Sequence, residues 1–331
     1  MTILGTTGTP VPTGIDGDGG DITHATPDPA PVPVRRRRQG RLTPYALLVP
    51  SLAILAVIVG WPLIQLLIMS FQEYGRAQVF GAPAPFVGFD NYVEVLGDQQ
   101  FWNVITRSLL FCLVAVSLTM IFGTLIALMM TALSKFFRLL TSVGLLLAWA
   151  MPALTSTIVW GWMFDTGHGV VNFALTQWFG LDYDGHSWLI EPLSFFLVLT
   201  VIVVWGAVPF VALTIYAGLT QVPDEVLEAA QLDGANGFKR FTLIIFPYLR
   251  SIFLVVFILQ VIWDLRVFTQ VFALQGIGGI REHTSTLGVY IYQTSLANGE
   301  YGTGGAIAVI TVIILMAISF YYVRQTFKEE V

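Results

Sequence analysis

The sequence is short of charge. Only 11% of its 331 residues are Asp, Glu, Lys or Arg, against about 25% in soluble domains, so the chain cannot cover a water-facing surface of its own. It is short of cysteine as well. The one thiol, Cys112, excludes an intramolecular disulfide and leaves the redox compartment unread; inside an apolar run it reads as a small packed side chain. His168 and His186 have no partner at ligand spacing and read as loop residues rather than metal ligands, so no metal or cofactor is expected. A G-x-x-x-x-G-K-S/T loop is missing, and the glycine-rich run 276–279 has no lysine-serine after it; nucleotide cannot be held here in the P-loop manner. No internal repeat is visible, which counts against a secondary carrier built from two inverted halves.

What the chain has instead is apolar length, with 55% hydrophobic residues. Six runs reach the ~20 residues needed to cross a bilayer core: 44–72, 102–133, 139–164, 192–219, 250–274 and 304–327. In lipid a span must satisfy its own backbone groups, so helices are expected and the fold class is an all-α membrane protein. The organisation follows: a tail over 1–41, a first transmembrane helix within 42–75, an external loop over 76–101, and a five-helix core over 102–328 carrying a polar loop at 221–249.

Residues 1–34 are rich in Gly, Pro, Thr and Asp and bury too little to offset their ordering entropy, which predicts disorder. The run Arg35-Arg36-Arg37-Arg38 is followed directly by a span, so it reads as a topology anchor against anionic headgroups rather than a nucleic-acid site or an export signal. The first span is too long for a signal-peptide core and has no small-residue cleavage site, so it is expected to stay attached. With six spans both termini share a side. That side receives Arg35 to Arg38, Arg41, Lys135, Arg138, Lys239, Arg240, Arg250, Arg324 and Lys328, while the other receives Arg76, Arg107 and Arg281. The positive-inside rule therefore predicts a multi-pass protein of the cell membrane with both termini and the 221–249 loop in the cytoplasm.

Within that loop, Pro223 followed by Asp224 and Glu225 predicts a helix start. Val226, Ala229, Ala230 and Asp233 recur at helical spacing as a small-residue face, Gly234 is placed to end the helix in the left-handed conformation, and a second helix is expected from Ala235 towards Ile245. Pro62, Pro152 and Pro209 lie inside apolar runs, where each marks either a simple kink or backbone groups freed towards a cavity. The fifth run holds Gln260, Trp263, Asp264 and Arg266. Intramembrane ionisable groups are costly and face a bundle interior or water. Gln260 and Asp264 are four apart on one helical face, whereas Arg266 lies about 200° round from Asp264 on an unbroken helix and is not expected to pair with it. Trp263, Asp264 and Gln260 supply an aromatic face with hydroxyl-binding oxygens, the groups a sugar site needs. Asp264 has no second acid or histidine cluster at helical spacing, which argues against an intramembrane enzyme.

The loop sequence Glu228-Ala229-Ala230-Gln231-Leu232-Asp233-Gly234-Ala235, closed by Ile245-Phe246-Pro247, resembles the EAA loop of ABC importer permeases. Phe86-Val87-Gly88-Phe89-Asp90-Asn91-Tyr92, Phe101-Trp102-Asn103 and Gly169-Val170-Val171-Asn172 are similar to segments of the maltose and glycerol-phosphate type of sugar permease. Leu274-Gln275-Gly276-Ile277-Gly278-Gly279-Ile280 departs from the family's L-T-x-G-G-P. The resemblance runs from about Leu42 to Lys328. It implies the type I ABC importer permease fold and the first permease subunit of a binding-protein-dependent sugar importer, which works by alternating access. The implied partners are a second permease subunit, two ATP-binding cassette subunits that hydrolyse ATP, an extracytoplasmic sugar-binding protein, the sugar and membrane lipid. Glu228, Ala229, Ala230, Asp233, Gly234 and Ala235 would contact the ATPase, and Trp149, Ala207, Phe210, Gln260, Trp263 and Asp264 would line the substrate pathway. An amino-acid or peptide permease, or a secondary carrier, stands as the alternative.

Overall fold

The computed structural model describes residues 43–329 and is helical almost throughout; among them the one strand-like pairing is an isolated bridge between Gln72 and Phe86. The tail and its arginine run lie outside the described residues. The chain divides into two units, one ending at Ile54 and one beginning at Leu55. The first contributes helix Thr43–Leu55, with Pro50 inside it. The second holds everything that follows.

Five helices are long and apolar enough to cross a membrane: Leu48–Met69, Gln99–Ala132, Pro192–Leu219, Arg250–Ile277 and Tyr301–Ile318. The expected third span, 139–164, is not one straight helix. It breaks into Lys135–Trp149 and Ala153–Met163, bent by 96°. Pro152 lacks an N–H and disfavours helical geometry in the residue before it, and its own ψ of 134° sends the chain off in a new direction. The fifth span is also interrupted, between Leu265 and Thr269.

The second span, Gln99–Ala132, packs against the fourth, Pro192–Leu219, along their length. Gly123 permits the approach: a Cβ there would lie 2.5 Å from a Val211 methyl. One buried cluster gathers Phe111, Phe195, Leu199, Ile202, Val271 and Leu274. Another gathers Ala127, Val211, Ile215, Leu219, Leu249 and Phe253, and it includes Val222 and Ile245 at the base of the polar loop. Arg138 closes the end of the second span. Its Nε and Nη2 donate to the carbonyls of Met130 (3.1 Å) and Leu133 (2.8 Å), where a cation also suits the negative end of the helix dipole. By contrast Leu139, Leu140 and Leu147 are 64%, 59% and 69% exposed, an apolar face fit for lipid and not for water.

Two sequence motifs far apart in the chain meet at the other end. The Asn91 amide donates to the carbonyls of Ser70 (2.9 Å) and Gln72 (3.0 Å), and Gly302 fits beneath, where a Cβ would crowd the same amide at 3.1 Å. Tyr290 donates to Asp98 Oδ2 at 2.8 Å. Burial first, and that acceptor second, raise the phenol above its ordinary range, so it remains a donor.

Candidate functional site

Two interrupted helices and one that carries an internal proline meet at one cavity of about 320 Å³. The broken third span brings Trp149, Met151 and Ser156, from either side of the bend at Pro152. The fourth brings Trp205, Gly206 and Ala207, just before Pro209. Proline has no N–H for the carbonyl four residues back, so Trp205 has a backbone oxygen freed beside the cavity. The fifth brings Trp263, Asp264, Arg266, Thr269 and Gln270, spanning its own break. The space is large enough for a small solute.

Four of the six expected pathway residues, Trp149, Ala207, Trp263 and Asp264, are on this wall. Trp149 and Trp263 are 50% and 41% exposed. Phe210 stands behind them. Its ring stacks on Trp149 at 6.0 Å and meets Trp263 edge-on at 5.1 Å, so it braces both tryptophans without lining the cavity. Asp264 is 4% exposed, and its Oδ2 has no hydrogen-bond partner among the described residues. Gln260 is fully buried, is absent from the wall, and neither of its amide atoms has a hydrogen-bond partner among the described residues. An unpartnered buried oxygen costs about 1–3 kcal/mol.

Arg266 was not expected to pair with Asp264, on the geometry of an unbroken helix. The helix ends at Leu265, and Arg266 turns onto the same wall, yet no ion pair joins the two. Trp205, Ser156, Thr269 and Gln270 were missed in the sequence. Trp205 had a signal, its place four residues before a mid-helix proline; Thr269 and Gln270 had none, because no Gly or Pro announces the break.

The polar loop forms as its residues dictate. Helix Asp224–Leu232 starts after Pro223 and ends at Gly234 with φ +78°. The Ala235 amide donates back to the Ala230 carbonyl (2.9 Å) and the Gly234 amide to that of Gln231 (3.1 Å), the paired closure of a Schellman motif. The second helix begins at Gly237, two residues later than expected. Asn236 takes the cap, accepting from the Lys239 amide at 2.9 Å, and a π-helical turn, Phe241–Ile245, follows. Glu228, Ala229, Asp233 and Gly234 are exposed, and Ala230 and Ala235 are half-buried. Leu232 and Phe238 are 90% and 75% exposed. The tip is thus open and partly apolar, while Leu227, Phe241 and Ile245 root the base among the ends of the spans.

At the far end Asn172 is buried. Its amide donates to the carbonyls of His186 (2.8 Å) and Thr166 (3.3 Å), and its oxygen accepts from Trp188 Nε1 (2.6 Å). Its motif partner Gly169 sits where a Cβ would come within 2.7 Å of the Asp165 amide nitrogen. His168 approaches only Asp165, at 3.9 Å, and no cluster of three metal-binding side chains occurs among the described residues.

Residues 120–329 match the family described as binding-protein-dependent transport system inner membrane component. The chain is 42% identical to the diacetylchitobiose uptake system permease protein DasB of Streptomyces coelicolor, over 88% of this chain and 89% of that one. It is 32% identical to the trehalose/maltose transport system permease protein MalF of Thermococcus litoralis, over 85% and 92%. It is 31% identical to the sulfoquinovosyl glycerol transport system permease protein SmoG of Agrobacterium fabrum, over 86% and 90%. Among solved structures, a bacterial ABC transporter involved in the import of the acidic polysaccharide alginate contains a chain of the same fold, with TM-score 0.74 and 22% identity over 86% of this chain and 94% of that one.

Proposed function

Because this chain belongs to the family of inner membrane components of binding-protein-dependent transport systems, we propose that it is a permease subunit of an ATP-driven importer of carbohydrate, with an N-acetylated disaccharide as the first substrate to test. The observation that carries the reading is the cavity at two helix breaks and a mid-helix proline, which Trp149, Trp263 and the carboxylate of Asp264 line together. Tryptophan faces suit the C–H surfaces of a pyranose, and a buried acceptor suits its hydroxyl or amide hydrogens. Relatives named for diacetylchitobiose and for trehalose and maltose support the class.

The chain is one half of the pathway. A second permease completes the cavity, an extracytoplasmic binding protein delivers the sugar, and two ATPase subunits work from the cytoplasm, where both termini also lie. Glu228, Ala229, Ala230, Asp233, Gly234 and Ala235 form the contact with an ATPase. The exposed Leu232 and Phe238 offer the apolar anchors, and Glu228 and Asp233 set the register by charged hydrogen bonds. Since Val222 and Ile245 are buried with Val211 and Leu249, a push on the tip reaches the fourth and fifth spans, which line the cavity.

The test is uptake of labelled disaccharides by cells lacking this chain and complemented with it. Wild type restores one class of sugar. Glu228→Lys leaves the chain in the membrane at wild-type amount and abolishes uptake. Restoration of amino-acid or peptide uptake alone would overturn the carbohydrate reading, and normal uptake by Glu228→Lys would overturn the coupling role.

A further inference from the structure

A second cavity, of about 720 Å³, opens between the second and fourth spans. Leu110, Val114 and Leu118 form one wall and Leu193, Phe196 and Leu197 the other. The hydroxyl of Thr200 donates to the Phe196 carbonyl at 2.6 Å, so the walls offer a guest no free hydrogen-bond donor apart from Arg107. Arg107 stands at one end. Its Nε donates to the Asn103 carbonyl (3.1 Å) and its Nη1 to the Glu282 carbonyl (3.0 Å). These two bonds hold the guanidinium in place, and Nη2 has no acceptor among the described residues. The Glu282 side chain itself is exposed.

The length of the groove selects its occupant. From Arg107 to Leu118 the second span rises roughly 16 Å, at 1.5 Å per residue. Half of a ~30 Å hydrocarbon core is about 15 Å. The groove is therefore one leaflet deep and stops, with a cation where headgroup phosphates lie. A lipid tail has that length. A helix crossing the bilayer would need twice as much and would bring nothing for the guanidinium. We propose that this groove is a phospholipid site, with the phosphate on Arg107 and one acyl chain between the second and fourth spans. Because these two spans form the scaffold for the carbohydrate cavity, a lipid wedged between them would couple membrane composition to the packing of the pathway.

The test uses the whole chain in its assembled transporter, in nanodiscs doped with phosphatidylglycerol bearing a photoreactive group on one tail, or with diacylglycerol bearing the same tail. Labelled peptides are mapped by mass spectrometry and normalised to the lipid-facing stretch 139–147. With phosphatidylglycerol, labelling of 109–118 and 192–201 is expected several-fold above that reference, and lower with diacylglycerol. Arg107→Gln reduces it to the diacylglycerol level, Arg107→Lys keeps most of it, and Val114→Trp, which fills the groove, removes it. Labelling no higher than the reference, or equal for the two lipids, overturns the proposal. So does labelling untouched by Arg107→Gln, or crosslinking of Leu197→Cys to another subunit's helix. None of these readouts depends on which solute is carried.

Discussion

Asp264 is the residue on which the pathway reading rests most directly, because its Oδ2 is buried without a partner beside two exposed indoles. Asp264→Asn keeps the volume and removes the charge. A hydrogen bond to a charged group is worth about 1.5–3 kcal/mol, so half-saturation of uptake is expected to rise about ten- to a hundredfold, with the amount of protein in the membrane unchanged. Unaltered transport kinetics would place Asp264 outside the solute's contacts. A second residue gives a pH signature at the far end. Asp165 accepts from the amides of His168 (2.8 Å) and Gly167 (3.0 Å), and chiefly these bonds lower its carboxyl below the usual range. For a depressed carboxylate the contribution to loop order is complete above the unfolded value of about 3.9 and is lost as pH falls through the lower folded value. Hydrogen exchange at 166–169, corrected for intrinsic rates, should stay protected at pH 5 and loosen only below about pH 4. Loosening already between pH 7 and 5 would contradict this.

At the scale of elements, the breaks matter more than the helices. Three spans are perturbed where they meet one cavity: the third breaks at Pro152, the fifth breaks at Arg266, and the fourth runs on through Pro209, which leaves the Trp205 carbonyl without its helical donor. Backbone freed in a membrane helix is tolerated only where protein or water can satisfy it, so their coincidence argues for a path more strongly than any one kink. The scaffold around them is close-packed, and at Gly123, where the second span meets the fourth, a side chain would meet Val211 at 2.5 Å. Gly123→Val should cost about 1–3 kcal/mol by overpacking. It should lower the thermal midpoint of the detergent-purified complex, read by size exclusion after heating, while Gly206→Ala, where a Cβ meets nothing, leaves it in place. Equal behaviour of the two would mean that the second and fourth spans separate more easily than their packing implies.

For the whole molecule, orientation decides which face meets which partner. Single cysteines at Asp224 and at Asp184, introduced with Cys112 replaced by Ala, should differ in intact cells. A membrane-impermeant maleimide should label the Asp184 position and reach the Asp224 position only after lysis; the reverse pattern would invert the assembly and place the polar loop outside.

Much of this architecture is written in local sequence. Apolar runs long enough to cross a bilayer placed five spans, since hydrocarbon admits little but helix. Pro223, Gly234 and the small residues between them specified the loop helix and its left-handed ending through dihedral preferences that need no neighbours. Trp263 and Asp264 were legible because an intramembrane acid beside a tryptophan is conspicuous, whereas Trp149 and Ala207 were expected only from the family resemblance. Tertiary structure alone decided the rest. It set the angle of the Pro152 break at 96°, and it ended a helix at Leu265 with no breaker residue, bringing Arg266 and Gln270 onto the wall beside Asp264. It also drew Phe210 back as a brace and sealed Gln260 inside. Where a helix stops without Gly or Pro, and which way its polar face then turns, depends on the surfaces packed against it. Those surfaces come from residues a hundred positions away, and no local window contains them.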